Sequence, residues 1–453
     1  MKRRARQQSH KDFTIIEFKA YLEKIGYQVE DLDRLNIIHV AGTKGKGSTC
    51  AFVSSILQQV DSPRQLKVGH FSSPHLIETR ERIQINGKPI SKALFVKYFD
   101  EVYGWLSSDT PPLRKVAPDS PSLPGYGRFL NLMAIHAFIS ENVDVAIFEV
   151  GVGGQYDSTN IVEHPVVCGI SSLGIDHQAI LGSTISSIAW HKAGIIKEGV
   201  PAFTVPQDSS ALIITRARAA ENNTTVTVVE PLPENKYKLG AAGEYQLINA
   251  ALAEALCREW LEIKRPECSK EQVDKWVSEG LRLTYLPGRS HTFVSPRYQN
   301  LVWHLDAAHT VDSMTACAKW FMSNSEKGSA NQYVLLFNGP NDYSKKDMLS
   351  KLYEHAGEIN FVNAVFCPNV TNRVDCVSLH SVRDETLRQQ RESAEHWCLI
   401  SGATKKKVYP TINAAVEYIE KKYRAERNIK THVLVTGSMY LVGGVLDVAK
   451  GGL

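Results

Sequence analysis

The sequence predicts an α/β protein with two domains, each built on a sheet of mainly parallel strands. Short strand-like apolar runs alternate along the chain with stretches of helical periodicity, which is typical of such sheets. Several runs are apolar without interruption, as strands covered on both faces must be. The alternation begins again around Pro287 and Gly288. We therefore predict a larger domain over residues 1–285 and a smaller one over residues 286–453.

The first domain begins with a helix and continues as alternating strands and helices. Residues 37–40 form an apolar run that is predicted to be a strand, and residues 109–127, rich in Pro and Ser, are predicted to be a loop. Further strand candidates are LKVGHF, VDVAIFEV, PVVCGI and VPAFTV. The first helix is indicated by apolar residues at helical spacing: Phe18, Tyr21, Leu22 and Ile25.

Residues 39–50, HVAGTKGKGSTC, place three glycines and two lysines between a strand and a helix. Backbone N–H groups freed by glycine, together with a helix N-terminus, form an anion site, and lysine adds positive charge. The segment departs from the pattern G-x-x-x-x-G-K-[ST], because glycine follows Lys46. The preceding strand, the lysines and the hydroxyls of Ser48 and Thr49 still favour phosphate binding over a plain glycine turn. We therefore predict a parallel-sheet domain of the phosphate-loop ATPase type.

Three further residues of the first domain are candidates for chemistry. Glu149 ends a strand run, where ligands of open α/β sheets bind, so it is either a magnesium ligand or the partner of a nearby cation. His177 is a metal ligand, a group that orients a carboxylate, or a capped loop residue. Lys192 lies in a mostly uncharged helical stretch, where desolvation would favour the neutral amine that forms a carbamate with carbon dioxide. The residues alone leave these alternatives open.

The second domain is predicted to be a smaller, Rossmann-like α/β domain. Its strand candidates are LVWHLD, QYVLLFN, NAVFCPN and THVLVTG, each ending in small or polar residues. Asp306 and His309 follow the first of these runs. Arg289 lies at the predicted domain junction, where it either binds phosphate in a bidentate manner or braces the linker.

Composition narrows the class of protein. A net charge of +4 without a long basic face argues against nucleic acid as the main partner. No apolar run reaches transmembrane length. The eight cysteines form no C-x-x-C pair, which favours a reducing compartment. We interpret the basic N-terminus as a solvated end rather than a mitochondrial address, so a cytoplasmic protein is expected, with a mitochondrial form as the alternative.

The ordered motifs together resemble the folylpolyglutamate synthases of the Mur ligase superfamily, and their eukaryotic branch in particular. The resemblance covers nearly the whole chain and is carried by GTKGKGSTCAF, FSSPHLIETRERIQINGKPIS, EVGVGGQYDSTNI, GISSLGIDHQAILG, HKAGIIKEGVPAFTV, LPGR, LDAAHT, VLLFN, VFCPN and VTGSMYLVGGVL. It implies an ATP-dependent ligase that activates a carboxylate of a reduced folate as an acyl phosphate and joins it to L-glutamate through a γ-amide. It also implies magnesium at two sites and a monomer, and it leads us to expect a short form, since family members usually carry a further helical segment before the position of Met1.

The resemblance assigns roles to individual residues. It implies that Lys46, Lys192 and His177 are catalytic, with Lys192 carbamylated. It implies that magnesium is held by Ser73, Glu149 and His177. It implies that Arg82 contacts the folate, that His309 lies at the nucleotide and substrate cleft, and that Ser438 borders the glutamate or the folate tail. It implies that ATP is bound by Gly42, Thr43, Lys44, Gly45, Lys46, Gly47, Ser48, Thr49, Gln246, Asn249, Arg289 and Asp306.

Some residues depart from the family pattern. Lys44 stands where bacterial relatives usually carry asparagine, whereas eukaryotic members share the lysine, and Gln155 replaces a basic residue that is common in bacterial members. Ala307 replaces the usual glycine, which would crowd the backbone or change nothing if φ is negative. Tyr245 replaces a histidine, and we assign it no role.

Four alternative functions share parts of this sequence pattern. Dihydrofolate synthase performs the same chemistry on dihydropteroate, and a cell-wall Mur ligase is disfavoured by the SSPHL and RERI segments. A phosphate-loop kinase or nucleotidase would carry Ser or Thr directly after Lys46 and would leave the second domain unexplained. A non-catalytic folate-binding relative would have lost at least one of Lys46, Glu149, His177 and Lys192, and all four are present.

Overall fold

A computed structural model of the protein describes residues 14–61, 63–117, 120–325, 328, 330–340, 344–371, 387–402, 405–426 and 428–450. The chain divides into two compact units. The first comprises Met1–His75, Thr79–Gly240 and Gln246–Thr284, and the second Leu76–Glu78, Ala241–Tyr245 and Tyr285–Leu453. Within the described residues, no helix combines the length and the apolar character that crossing a membrane requires.

The first unit contains helices α1 to α9 and strands β1 to β8. Its helices are α1 (14–24), α2 (Lys46–Leu57), α3 (Lys92–Ser107), α4 (Tyr126–Ser140), α5 (Gln178–Leu181), α6 (Ile185–Ala193), α7 (Ser209–Glu221), α8 (Gln246–Lys264) and α9 (Lys270–Leu283), with 3₁₀ helices at Val29–Leu35, Thr79–Arg82 and Ser158–Ile161. Its strands are β1 (Ile38–Ala41), β2 (Val68–Phe71), β3 (Ile83–Ile85), β4 (Lys88–Pro89), β5 (Val145–Glu149), β6 (Val167–Ile170), β7 (Ala202–Thr204) and β8 (Val226–Val228).

The strands of the first unit form one eight-stranded sheet in the order β4-β3-β2-β5-β1-β6-β7-β8. The six strands from β2 to β8 in this order run parallel, which confirms the predicted parallel sheet, while β3 and β4 are antiparallel. In the register of the central strands, Val40 pairs with both Glu149 and Gly169. The segments that follow β1, β5 and β6 therefore leave the sheet side by side at one edge.

The central strands are apolar because both faces of the sheet are covered. Every residue of β1, β5 and β6 is buried. The predicted apolar face of the first helix is likewise buried, in a cluster with residues of α3 and α4. Phe18, Tyr21 and Leu22 lie in α1, and Ile25 directly follows it. Ala193, Ile195 and Ile196 belong to a separate cluster that also contains residues of β6 and β7. The predicted loop ends slightly earlier than expected, since Tyr126 and Gly127 already belong to α4.

The second unit has its own sheet, in the order β13-β12-β11-β14-β10-β9. All neighbours are parallel except β9, which pairs antiparallel with β10. The four predicted strands are confirmed as β10, β11, β12 and β14, whereas β9 and β13 were not predicted. The strands are β9 (His291–Val294), β10 (Leu301–Asp306), β11 (Asn331–Phe337), β12 (Phe361–Phe366), β13 (Lys406–Val408) and β14 (Lys430–Thr436). The helices are α10 (Val311–Asn324), α11 (Lys345–Ala356), α12 (Arg388–Ser401), α13 (Ile412–Tyr423) and α14 (Met439–Lys450).

The close packing of α9 on α2 depends on a glycine, Gly280. A Cβ atom at Gly280 would lie 2.3 Å from the Cα atom of Ile56 and 2.7 Å from its backbone nitrogen, so backbone must move to admit a methyl group. We expect Gly280→Ala to lower the free energy of unfolding by about 2 kcal/mol or more. The measurement is urea unfolding followed by far-UV circular dichroism.

The control for this substitution is Gly104→Ala. Gly104 lies within α3, where an added Cβ atom would have no neighbour within 4 Å. It is therefore expected to be neutral or to stabilise the protein by up to about 1 kcal/mol. Equal effects of the two substitutions would contradict the described packing of α9 on α2.

Candidate active site

The glycine loop (Gly42–Gly45) connects β1 to α2 and needs glycine at two positions. Gly42 has φ of 149° and Gly45 has φ of 86°, values that side chains disfavour. A Cβ atom at Gly42 would lie 1.9 Å from Ser171 Oγ, and one at Gly45 would lie 2.2 Å from Asn249 Oδ1. The loop therefore packs directly against the end of β6 and the first turn of α8.

Hydrogen bonds fasten the glycine loop to the segment that follows β6. The backbone N–H groups of Thr43 and Lys44 both donate to the carbonyl oxygen of Ser172, at 2.9 and 3.0 Å. The hydroxyl of Ser171 donates to the carbonyl oxygen of Lys44 at 2.8 Å. These bonds engage the backbone of Thr43 and Lys44 and hold the loop in one conformation.

The first turn of α2 has the features of an anion site. Its N-cap is Gly45, which has no side chain to accept the first backbone N–H groups, and its first turn contains no acidic residue. Lys46 is the first residue of the helix, and Ser48 and Thr49 are buried behind it. Free N–H groups and the helix dipole favour a negative charge at this end. The contacts of these residues with a nucleotide remain predictions.

Glu149 and Ser73 meet beside the glycine loop. Glu149 is 4% exposed at the end of β5, and its Oε2 accepts a hydrogen bond from the backbone N–H of Ser73 at 3.2 Å. A Cβ atom at Gly47 would lie 3.4 Å from both carboxylate oxygens. The structure thus brings two of the three predicted magnesium ligands together at the start of α2.

The third predicted magnesium ligand, His177, interacts with its neighbour. It is exposed, has φ of 49°, and precedes α5. Its backbone N–H donates to Asp176 Oδ1 at 2.7 Å, and its ring Nε2 lies 3.8 Å from Asp176 Oδ2. Within the part of the chain that the structure describes, no three His, Cys, Asp or Glu side chains are grouped so as to hold a metal ion. The predicted magnesium ligands include only two residues of these types, Glu149 and His177, because the remaining ligand, Ser73, is a serine.

Lys192 reaches the glycine loop from the last turn of α6. It is 3% exposed, and its Nζ donates to the carbonyl oxygen of Gly42 at 2.6 Å. Burial first, and then the positive charge of Lys46, lower the pKa of Lys192 to about 7. Asp176 and Asp157 act in the opposite direction. Burial and the charge of Lys46 therefore favour the uncharged amine of Lys192.

Asp157 was not singled out from the sequence. Its Oδ2 accepts a hydrogen bond from the backbone N–H of Val152 at 3.0 Å, and its Oδ1 accepts from the hydroxyl of Thr159 at 2.7 Å. It thereby shapes the segment after Glu149 and adds negative charge near Lys192. The only available signal was an acidic residue before Ser158 and Thr159, a pattern equally typical of a helix cap.

Gln155, which replaces the basic residue of bacterial members, lies beside an arginine from another element. Arg218 of α7 donates to the side-chain oxygen of Gln155, and its guanidinium lies 4.9 Å from the centre of the Trp190 ring. A positive charge is therefore present beside position 155, although it comes from another element.

Gln246 and Asn249, predicted to lie near adenine, are buried in the first turn of α8. The side-chain Nδ2 of Asn249 donates to Gln246 Oε1 at 2.9 Å. Asn249 lies against Gly45, so Asn249 and the Gln246 bonded to it both lie near the glycine loop. Arg82 is also buried in the first unit, and its Nε donates to His75 Nδ1 at 3.1 Å.

Within the second unit, Asp306, His309 and Ser438 lie at the carboxyl ends of the neighbouring strands β10 and β14, whereas Arg289 lies just before β9. Asp306 accepts hydrogen bonds from the backbone N–H groups of Ser290 and Ala308, and its pKa is raised because burial outweighs those bonds and the charge of Arg289. His309 follows β10, and its ring Nδ1 lies 2.9 Å from the carbonyl oxygen of Ala307. Ser438 follows β14.

Two departures from the family pattern lie near these residues. Ala307 is not among the residues with positive φ, so its methyl group requires no strained backbone. The hydroxyl of Tyr245 lies 2.9 Å from Ser290 Oγ, and burial raises the pKa of Tyr245. Both residues therefore fit into the second unit as packing or hydrogen-bonding groups.

Similar sequences among known proteins cover part of the chain in one case and nearly all of it in others. Residues 291–448 match the family described as "Dihydrofolate synthetase, C-terminal domain". The chain is 40% identical to "Folylpolyglutamate synthase" of Neurospora crassa over 96% of its length and 85% of the relative. It is 41% identical to "Probable folylpolyglutamate synthase" of Schizosaccharomyces pombe and 42% identical to "Folylpolyglutamate synthase" of Saccharomyces cerevisiae, in each case over 96% of this chain and 88% and 81% of the relatives.

Solved structures share the fold. "Mycobacterium tuberculosis Folylpolyglutamate Synthase Complexed with ADP and AMPPCP" superposes with a TM-score of 0.73 at 23% identity and covers 95% of this chain and 94% of its own. "E.coli FolC in complex with DHPP and ADP" superposes with a TM-score of 0.71 at 20% identity, covering 98% and 97% of the two chains. At these identities the superpositions support the two-sheet α/β architecture.

The lowered pKa of Lys192 predicts a pH dependence of stability. An unfolded lysine, with its ordinary pKa of 10.5, keeps a proton that the folded residue loses near pH 7. Between these values, the free energy of unfolding of the wild type should rise relative to Lys192→Met by about 1.4 kcal/mol per pH unit. Below pH 7 both states are protonated, and the two curves should run parallel. Urea unfolding in carbonate-free buffer tests this, and parallel curves throughout would contradict the lowered pKa.

Proposed function

The chain belongs to the folylpolyglutamate synthase family, and from this premise we propose how its residues act in the ATP-dependent joining of L-glutamate to a reduced folate. The carboxylate of the folate attacks the γ-phosphorus of ATP, and ADP leaves. The amine of glutamate then attacks the acyl carbon, expels phosphate and loses a proton. The observation that carries the proposal is the convergence of Lys46, Glu149 and Lys192 on one glycine loop.

The first turn of α2 is proposed to hold the γ-phosphate. Two anions, the carboxylate and ATP, must approach each other before the acyl phosphate forms, so positive charge is needed where they meet. Lys46 and the free N–H groups after Gly45 supply it. Gln246 and Asn249 are proposed to lie near the adenine, which the position of Asn249 against the glycine loop supports.

Magnesium is proposed to bind at Ser73 and Glu149, with His177 as a further ligand. A buried carboxylate beside the phosphate site suits this ion, which prefers oxygen ligands and keeps several waters. When bound, it would neutralise charge on the transferred phosphoryl group. The residues themselves position the phosphate and exclude solvent from it.

Lys192 is proposed to act as a carbamate. Its neutral amine would attack carbon dioxide, form an N–C bond and release a proton, which leaves an anionic oxygen ligand for a second magnesium. The charge of Lys46, which disfavours the ammonium form, would stabilise that anion. Burial of the side chain would protect the modification from water.

Residues of the second unit are also proposed to contact substrates. Arg289 and Asp306 would contact the nucleotide, and His309 and Ser438 would border the glutamate or the folate tail. The position of Asp306, His309 and Ser438 at the carboxyl ends of the parallel strands β10 and β14 supports these roles. The cytoplasmic location and the monomeric state also remain proposals, made from the sequence.

A second candidate function is the addition of the first glutamate to dihydropteroate. The observation that favours it is the match of residues 291–448 to a family described as a dihydrofolate synthetase. The curated relatives that span nearly the whole chain bear the name folylpolyglutamate synthase, and this favours the first candidate.

Incorporation of labelled glutamate distinguishes the two candidates. The purified protein is given MgATP and labelled L-glutamate with either tetrahydrofolate or dihydropteroate. We expect label in products that carry more than one glutamate when tetrahydrofolate is supplied. Label on dihydropteroate alone would favour the second candidate, and ATP hydrolysis without any incorporation would exclude both.

Lys192→Ala tests the carbamate. We expect turnover to fall by about a hundredfold or more, while ATP binding stays near that of the wild type. With ¹³C-labelled bicarbonate, the wild type should give a carbamate carbon signal in the NMR spectrum that the variant lacks. The matched control is Lys197→Ala, since Lys197 is another lysine of this unit whose pKa burial lowers. Equal turnover in the wild type and Lys192→Ala would refute the role.

A further inference from the structure

Arg82 is joined through its backbone to the segment that carries Ser73. It is the last residue of the 3₁₀ helix Thr79–Arg82, directly before β3. Its carbonyl oxygen accepts a hydrogen bond from the backbone N–H of Ser72 at 3.0 Å. Because the next residue, Ser73, donates to Glu149, Arg82 is anchored close to the proposed phosphate-transfer site.

The positive charge of Arg82 is largely buried, and among the residues that the structure describes it has no acidic partner. Arg82 is only 9% exposed, and within the described residues no carboxylate forms an ion pair with it. A buried guanidinium without a counter-charge is costly, and an anion bound beside it would offset that cost.

Two side chains hold the guanidinium in place. His75 lies on one side, where its Nδ1 accepts a hydrogen bond from Arg82 Nε at 3.1 Å. On the other side, the Cζ atom of Arg82 lies 5.3 Å from the centre of the Tyr126 ring, within the range of a cation–π contact.

Tyr126 is itself anchored. It is the first residue of α4, and its hydroxyl lies 3.2 Å from Thr79 Oγ1, which joins it to the 3₁₀ helix of Arg82. With Nε and one face of the guanidinium occupied, the donors that remain for a ligand are the Nη groups. Their fork matches a carboxylate.

We propose that Tyr126 is a specificity-determining residue, which holds Arg82 as the receptor for the α-carboxylate of the folate's terminal glutamate. This inference rests on the proposed function. The γ-carboxylate of that glutamate reacts, whereas the α-carboxylate remains an anion throughout. Dihydropteroate has a single carboxylate, the one that reacts, so this receptor favours substrates that already carry a glutamate.

The test compares two substrates that differ only in the α-carboxylate. One is tetrahydrofolate, and the other is its analogue in which 4-aminobutyrate replaces the glutamate, so that the reacting carboxylate is kept. In the wild type, we expect the KM for the analogue to be about tenfold higher or more. In Tyr126→Ala, the KM for tetrahydrofolate should rise about tenfold towards that of the analogue, with kcat and the KM for ATP changed less than about twofold.

Two variants control for folding and for the ring itself. Tyr126→Phe keeps the aromatic ring and should restore most of the preference for tetrahydrofolate. Tyr103→Ala removes a tyrosine of α3 that is 46% exposed, much as Tyr126 is 45% exposed, and should leave both KM values unchanged.

Two results would overturn the inference. One is an equal rise of KM for both substrates in Tyr126→Ala, and the other is no rise for either. A wild-type protein that adds glutamate to neither substrate would instead refute the proposed function. The two failures are therefore distinguishable.

Discussion

The close approach of the glycine loop to the elements around it is the constraint on which the candidate site depends. Ser171 and Asn249 occupy the space that side chains at positions 42 and 45 would need. Because the loop backbone is packed from these sides and bonded to Ser172, its N–H groups are ordered before any ligand arrives. Such preorganisation spares the reaction the cost of orienting dipoles.

The same packing explains the electrostatics of the site. Lys192 is buried against Gly42, and its burial together with the charge of the half-buried Lys46 disfavours its ammonium form. Loss of the proton from Lys192 relieves the repulsion between the two side chains. Glu149 faces Gly47 from the end of β5, which places a carboxylate at the start of α2. The positive charge of Lys46 and the negative charge of Glu149 therefore lie close together at the place where a polyanionic substrate is proposed to bind.

Each unit places its polar residues by the same rule. The carboxyl ends of neighbouring parallel strands emerge at one edge of a sheet, so short segments after β1, β5 and β6 meet although they are distant in sequence. In the second unit, β10 and β14 bring Asp306 and Ser438 to one edge in the same way. Parallel topology thus determines which segments can form a site, and the residues after each strand determine its chemistry.

The sequence by itself determined the α/β class, the central parallel strands and most of the glycine-loop residues, because apolar runs and glycine spacing are local signals. It missed β3, β4, β8, β9 and β13, which are short and only partly buried, so their patterns are weak. Only the tertiary structure could decide that Asp157 influences Lys192, that Arg218 lies beside Gln155, and that Tyr126 covers Arg82. Those contacts join residues from separate elements, and their distances depend on how helices pack on the sheet, which no local pattern encodes.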